Sequence, residues 1–183
     1  MTQKSRSALL IDHDDSFIEN IKFWLQPEFK VFVINHVEIA SFDTKNYDLI
    51  VFSPGPKAPR DYPHSLKLMT TLKQPVLGIC LGFQMMTEAS GDQVETYSPP
   101  QHGKTSLLKA QGAFDNLAVG RYHSLRCKLS DNFEVLATSR DDDCVMWAEH
   151  KTKKYIGFQF HPESFLTESS ELYKKYILDW MLQ

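Results

Sequence analysis

Cys80 and, far along the chain from it, the pair His161 and Glu163 have the side chains that acyl transfer needs. A thiolate attacks a carbonyl carbon, an imidazole takes the thiol proton, and a carboxylate orients the imidazole and stabilises its charged form. Cys80 stands in PVLGICLGFQMM, residues 75–86. Val76, Leu77 and Ile79 make a short apolar run suited to a buried strand. From Gly82 onward, Phe83, Met85, Met86 and Ala89 have the spacing of a helix packed on one face. Cys80 therefore falls where a strand turns sharply into a helix, the cysteine counterpart of the G-x-S-x-G elbow. Gly78 and Gly82 flank it, and are expected to allow strained backbone and close approach of a substrate. The helix N-terminus that follows favours the thiolate. Taken alone, the stretch suits a buried structural cysteine equally well, so partners elsewhere must decide.

GFQFHPES at residues 157–164 supplies those partners. In extended backbone His161 and Glu163, two apart, point to the same side, and Pro162 biases His161 towards that form. Ser-Pro-Gly-Pro at residues 53–56 follows another strand candidate, and open α/β sheets bind ligands at the carboxyl ends of strands. Backbone N–H groups of Gly55 and Leu81 are expected to form an oxyanion hole there; a plain Pro/Gly turn is the competing reading. VGRYHSL, residues 119–125, falls where no regular element is predicted. Its Ser124 hydroxyl and neighbouring backbone are candidates for holding a substrate's charged end. The acidic run at residues 12–15 reads as a helix-entry loop. With no H-E-x-x-H or C-x-x-C spacing no metal site is expected, and without G-x-G-x-x-G or a Walker A motif there is no ground for a dinucleotide or nucleoside triphosphate site.

The elements that must position these residues follow from periodicity. Residues 8–11, 30–35, 48–52 and 76–79 read as buried strands. Ser16 and Glu19 have capping-box spacing for a helix with Phe17, Ile21, Trp24 and Leu25 on one face, ended by Pro27. Strand and helix signals alternate to about residue 90, which predicts an α/β fold with an open, doubly wound, mostly parallel sheet flanked by helices. Beyond that, short strand candidates at 94–97, 104–109, 133–138, 144–149 and 155–160 predict a small antiparallel extension. A last helix, about 169–182, puts Leu172, Tyr173, Tyr176, Ile177, Trp180 and Met181 on one face.

A chain of 183 residues suits one domain, residues 1–183, with a full core. The net charge of −3 offers no basic surplus for nucleic acid. Three cysteines, an odd number at scattered positions, do not make a disulfide framework and fit a reducing cytoplasm. The polar start at 1–7 and the apolar run at 8–11 are too short for a signal peptide or membrane span.

On these residues the chain resembles the class I (triad-type) glutamine amidotransferases, in particular the glutamine amidotransferase subunits of anthranilate synthase and aminodeoxychorismate synthase. The carriers are IDHDDSF at 11–17, SPGP at 53–56, GICLGFQ at 78–84, HGK at 102–104, VGRYHSL at 119–125 and GFQFHPESFLT at 157–167. The resemblance implies that Cys80 attacks the side-chain amide of L-glutamine, that His161 acts as base and then acid, and that Glu163 orients His161. It implies oxyanion N–H groups from Gly55 and Leu81. Gln84, one helical turn after Cys80, would help hold glutamine, and Ser124 and Leu125 would bind its α-amino and carboxylate ends through backbone groups. The glutamyl thioester is then hydrolysed, and ammonia passes through a channel to a separate chorismate-using synthase chain. No cofactor is implied in this subunit; the family's Mg²⁺ belongs to the synthase.

GFQFHPE with the following Leu-Thr leans towards anthranilate and tryptophan synthesis. Aminodeoxychorismate and folate synthesis, or a subunit shared by both, stay open. So does a non-catalytic regulatory subunit, against which the intact Cys, His and Glu argue. A free-standing cysteine hydrolase acting on γ-glutamyl compounds is argued against by RYHSL and HGK. Two features depart from the family pattern: Lys57 stands where Gly or Cys usually follows Pro-Gly-Pro, and the segment at 112–117 is short.

Overall fold

The apolar runs of the first half become neighbouring parallel strands because each is buried on both faces, as a sheet covered by helices requires. A computed structural model describes residues 6–183; residues 1–5, most of the polar start, lie outside the described part. The strands are β1 (Arg6–Asp12), β2 (Phe29–Asn35), β3 (Leu49–Phe52), β4 (Val76–Ile79), β5 (Gln93–Thr96), β6 (Lys104–Lys109), β7 (Ala118–Arg121), β8 (Leu125–Lys128), β9 (Phe133–Ser139), β10 (Val145–His150) and β11 (Tyr155–Phe158). Nine form one mixed sheet in the order β2-β1-β3-β4-β11-β10-β9-β6-β7. The half from β2 to β11 is parallel, and the half from β10 to β7 is antiparallel. β5 and β8 make a separate antiparallel pair.

Four helices cover the sheet: α1 (Ile18–Leu25), α2 (Pro63–Thr71), α3 (Leu81–Ala89) and α4 (Ser170–Leu182). Alternation along the strands divides the core in two. Ala8, Leu10, Val51, Leu77 and Ile79 face Ile21, Trp24, Tyr173 and Ile177 of α1 and α4. Leu9, Ile11, Ile50, Phe52 and Val76 face Met69, Phe83, Met85 and Met86 of α2 and α3. Every residue from Leu81 to Thr87 is buried, so α3 is enclosed on all sides rather than packed on one face.

Several expectations need correction. The Ser16–Glu19 capping box does not form: α1 begins at Ile18 with Phe17 at the N-cap and no side-chain cap. Phe17 leaves the helix face and packs edge-on against His161. The last parallel strand stops at Phe158, two residues early. α2, β7 and β8 have no counterpart among the predicted elements. α2 buries only Ser65 and Met69, so its apolar stripe is thin; β7 and β8 have four residues each, too few to show a period. The short 112–117 segment closes with one 3₁₀ turn, Gly112–Phe114, and Phe114 packs against Trp147, Tyr173 and Tyr176. Among the described residues no helix is long and apolar enough to cross a membrane.

Candidate active site

Three adjacent parallel strands, β3, β4 and β11, end at one edge, and each runs into a stretch singled out above. β4 lies in the middle and delivers Cys80. β3 delivers Ser53 to Pro56 on one side, and β11 delivers Gln159 to Glu163 on the other.

Cys80 takes φ 51° and ψ −100°, between β4 and α3. A non-glycine residue in this region stores about 1–3 kcal/mol of strain and persists only where its surroundings hold it. Here its N–H donates to Phe158 O at 2.7 Å, and its carbonyl accepts from Gln84 N–H at 3.0 Å. The strain belongs to Cys80 alone, since neither Gly78 nor Gly82 has a positive φ. The two glycines serve close packing of the protein on itself. A Cβ on Gly82 would lie 2.2 Å from Phe52 O, and one on Gly78 2.6 Å from the Gly82 carbonyl carbon. Without side chains there, α3 descends onto β3 and β4 and aims its N-terminus at the elbow.

His161 is buried, and its Nδ1 lies 2.7 Å from Glu163 Oε1. The pair forms in a turn, not in the extended backbone that was expected. Ser164 N–H donates to His161 O at 3.1 Å, and Thr167 Oγ1 donates to it at 2.6 Å. A carboxylate only accepts, so Nδ1 carries the proton and Nε2 is the ring atom left for Cys80. Burial works to lower the His161 pKa. The Glu163 carboxylate and the Cys80 sulfur, as negative charge and hydrogen-bond acceptor, outweigh it and hold the imidazole well above its ordinary value.

Asp15, at the α1 entry, is a site neighbour that sequence reasoning missed. Burial pushes its carboxyl up to about 6, with Glu163 and Asp12 adding to the rise and Phe17 N–H and His161 opposing it. A raised folded-state pKa gives stability that is full below the unfolded value and lost as pH climbs through about 6. Asp15→Asn is therefore expected to melt above the wild-type protein at pH 8, with the gap narrowing at pH 5. After screening for partial exposure the gain at pH 8 is about 1 kcal/mol, or about 2–4 °C. Differential scanning calorimetry at both pH values checks it; an equal gap at both would assign the effect to something other than the buried charge.

Gly55 and Leu81 lie together: a Cβ on Gly55 would stand 2.7 Å from Leu81 Cδ2 and 2.6 Å from His13 O. Leu81 is the first residue of α3, so its N–H has no acceptor within the helix. The loop carrying Gly55 is fixed by His13, a fully buried residue of the run read as a helix-entry loop. Its N–H donates to Ser53 Oγ at 2.9 Å, and its ring nitrogens contact Ser53 Oγ at 3.1 Å and Ser65 Oγ at 3.0 Å. Burial, with His36, pushes its pKa down to about 3, so the ring stays neutral. Lys57, on the same loop, is exposed.

Gln84 and Leu125 also meet, with Gln84 Nε2 3.4 Å from Leu125 O. Ser124 is exposed beside them, its carbonyl accepting from Tyr97 N–H at 2.8 Å. The residues 119–125 are held from below by Arg121, whose Nη1 donates to Asp142 Oδ2 at 2.8 Å. Asp142 is drawn down to about 2: burial opposes this, but Tyr97, Arg121 and Cys144 N–H donate to it. Among the described residues, no group of three or more His, Cys, Asp or Glu side chains is arranged to hold a metal ion.

The arrangement suits attack on an amide or ester carbonyl: a thiol on a strained backbone turn, an imidazole oriented by a carboxylate, and the free N–H of Leu81 at a helix N-terminus with the Gly55 loop beside it. Comparisons with known proteins give the family and the fold. The sequence profile of the class-I glutamine amidotransferases matches residues 9–180. A protein of Methanocaldococcus jannaschii named anthranilate synthase component 2 is 36% identical over 176 residues, covering 91% of this chain and 89% of that protein. A protein of Azospirillum brasilense named anthranilate synthase is 36% identical over 177 residues, and the chain, 90% covered, spans only 24% of its length. The solved structure of a glutamine amidotransferase from Thermotoga maritima has the same fold, with a TM-score of 0.74 at 18% identity, covering 98% of this chain and 97% of that one.

Proposed function

The chain belongs to the class-I glutamine amidotransferase family, and from that premise we propose that it is the ammonia-producing subunit of an anthranilate synthase. The observation that supports the reading is that Cys80, in its strained elbow, and the His161–Glu163 pair follow two adjacent parallel strands, β4 and β11. In this reading Cys80 Sγ attacks the side-chain carbonyl carbon of glutamine, and the thiol proton rests on His161 Nε2. The carbonyl oxygen takes the charge between Gly55 N–H and Leu81 N–H. Collapse breaks the C–N bond, and His161 returns its proton to the leaving nitrogen, releasing ammonia. Water, deprotonated by His161, then attacks the thioester, giving glutamate and the free thiol. Glu163 holds the imidazole and its charge throughout. Gln84, Ser124 and Leu125 bind the amino-acid end of glutamine. Each of these steps is supplied by side chains and backbone, so no cofactor is called for in this subunit.

Ammonia would pass through a channel to a chorismate-using synthase chain. The relative from M. jannaschii supports anthranilate as the product, and the one from A. brasilense supports close association, since its matching region is part of a longer chain. A cytoplasmic location fits cysteines that are all free.

Product analysis tests the assignment. The subunit is mixed with each chorismate-using synthase of its own organism, with glutamine as the sole nitrogen source, and products are identified by mass. Anthranilate alone is the expected result. Aminodeoxychorismate alone would move the protein to folate synthesis, both products would make it a shared subunit, and neither, with synthases that work on ammonia, would overturn the catalytic reading.

A further inference from the structure

We propose that Gln159 is a positioning residue for the reactive sulfur: its side-chain amide donates to Cys80 Sγ, and a directed set of hydrogen bonds holds the amide in that orientation. The inference rests on the reading of Cys80 as nucleophile. Gln159 is fully buried and follows β11, where Phe158 pairs with Ile79, so it sits beside Cys80 across the strand ends. Its Nε2 lies 3.6 Å from Cys80 Sγ. An amide nitrogen has hydrogens and no free acceptor, so the sulfur accepts. Such a donor favours thiolate over thiol, because hydrogen bonds to a charged acceptor are the stronger kind.

Which end of a glutamine amide faces which neighbour is decided by the network around it. Leu125 O only accepts, so the Gln84 atom 3.4 Å from it is nitrogen. That same nitrogen is 3.4 Å from Gln159 Oε1. Gln159 thus shows its oxygen to Gln84 and its nitrogen to Cys80. Cys127 Sγ approaches the same oxygen at 3.8 Å; burial pushes the Cys127 thiol up, so it keeps its proton and donates.

Leu125 O, the acceptor on which this depends, is pinned from the opposite side. Arg121 can only donate, and its Nε is 3.0 Å from His123 Nε2. That makes Nε2 the acceptor and leaves the ring proton on Nδ1, which donates to Leu125 O at 2.8 Å. Arg121 is itself seated on Ser106, Ser139 and Asp142. The links nearest the sulfur are long and individually weak, so their effect is on orientation more than on stability.

The test is the pH profile of Cys80 alkylation by iodoacetamide on the full chain, read by mass mapping. In the wild-type protein Cys80 is expected to react ahead of Cys127 and Cys144. Gln159→Leu should move the midpoint of the Cys80 profile up by about one pH unit, which is about a tenfold slower reaction on the rising limb. Gln159→Glu, nearly isosteric, should move it further, by setting a carboxylate against the sulfur. Gln84→Leu should move it the same way by less, by freeing the Gln159 amide to turn. Melting curves identify the variants that fold, and if Gln159→Leu does not, the other two carry the test. Midpoints equal to wild type in the folded variants would reduce Gln159 to packing and overturn the inference. A wild-type Cys80 no faster than Cys127 and Cys144 would instead overturn the nucleophile reading, and the inference with it.

Discussion

Cys80→Ala is expected to abolish glutamine-dependent synthesis by the assembled complex and to leave ammonia-dependent synthesis intact. The expected loss is at least about ten-thousand-fold, the order found when a triad nucleophile is removed. No other group can take its place: Cys127 and Cys144 are buried, with thiols pushed up by burial, that of Cys144 to about 11. The fold should tolerate the change. Alanine occupies less space in a position only 6% exposed, and the backbone bonds that hold the elbow, to Phe158 O and from Gln84 N–H, do not involve the thiol. Both activities are read on one preparation, with gel filtration to show that the complex forms. Retained glutamine-dependent synthesis, or loss of both activities in an assembled complex, would refute the role given to Cys80.

Gly82→Ala has the largest expected effect on stability. Its Cβ would stand 2.2 Å from Phe52 O and 2.8 Å from Phe52 Cβ. The first obstacle is backbone in the middle of a parallel sheet, which no rotamer change relieves. Overpacking of this kind costs about 3 kcal/mol or more, a fall in melting temperature of about 10 °C for a domain of this size. Activity should fall in the molecules that fold, because β3 carries the loop that presents Gly55 opposite Leu81. Gly91→Ala is the control: φ is +86° and nothing lies within 4 Å of its added Cβ, so only backbone strain of about 1 kcal/mol is expected, with activity unchanged. A Gly82→Ala protein that melts within about 2 °C of wild type would show that α3 is not pressed against β3 as described.

The legible parts of the sequence were those with a local cause. The buried strands announced themselves as apolar runs; residues 76–79 and 104–109 match β4 and β6 at both ends. The stripe of α4 appears in its buried Tyr173, Ile177 and Trp180. Failures came where a local rule met a tertiary demand. Ser16 and Glu19 have the spacing of a cap, yet Phe17 takes the N-cap position, since its ring is drawn to Tyr122 and His161. His13 looked like part of an acidic loop, and only the fold puts Ser53 and Ser65, 40 and 52 residues away, against its ring. Gln159 carried a signal that was available: it is a polar residue directly after a fully buried strand and two residues before His161. Its partner Cys80, 79 residues earlier, gave no such local signal.

By itself, then, the sequence determined which groups are present and what local backbone each prefers: a cysteine between a strand and a helix, an imidazole two residues from a carboxylate, Gly55 in a proline-rich turn. Those follow from side-chain chemistry and from periods of 2 and 3.6 residues, which act over a few positions. Their convergence was decided by tertiary structure. β11, last in the chain, inserts beside β4 rather than pairing only with the antiparallel strands near it in sequence. That choice maximises burial of apolar strand faces between two helical layers, a sum over the whole molecule that no short window contains. It also brings His161, 81 positions later in the chain, to Cys80, and with it the Gln159 amide that faces the sulfur.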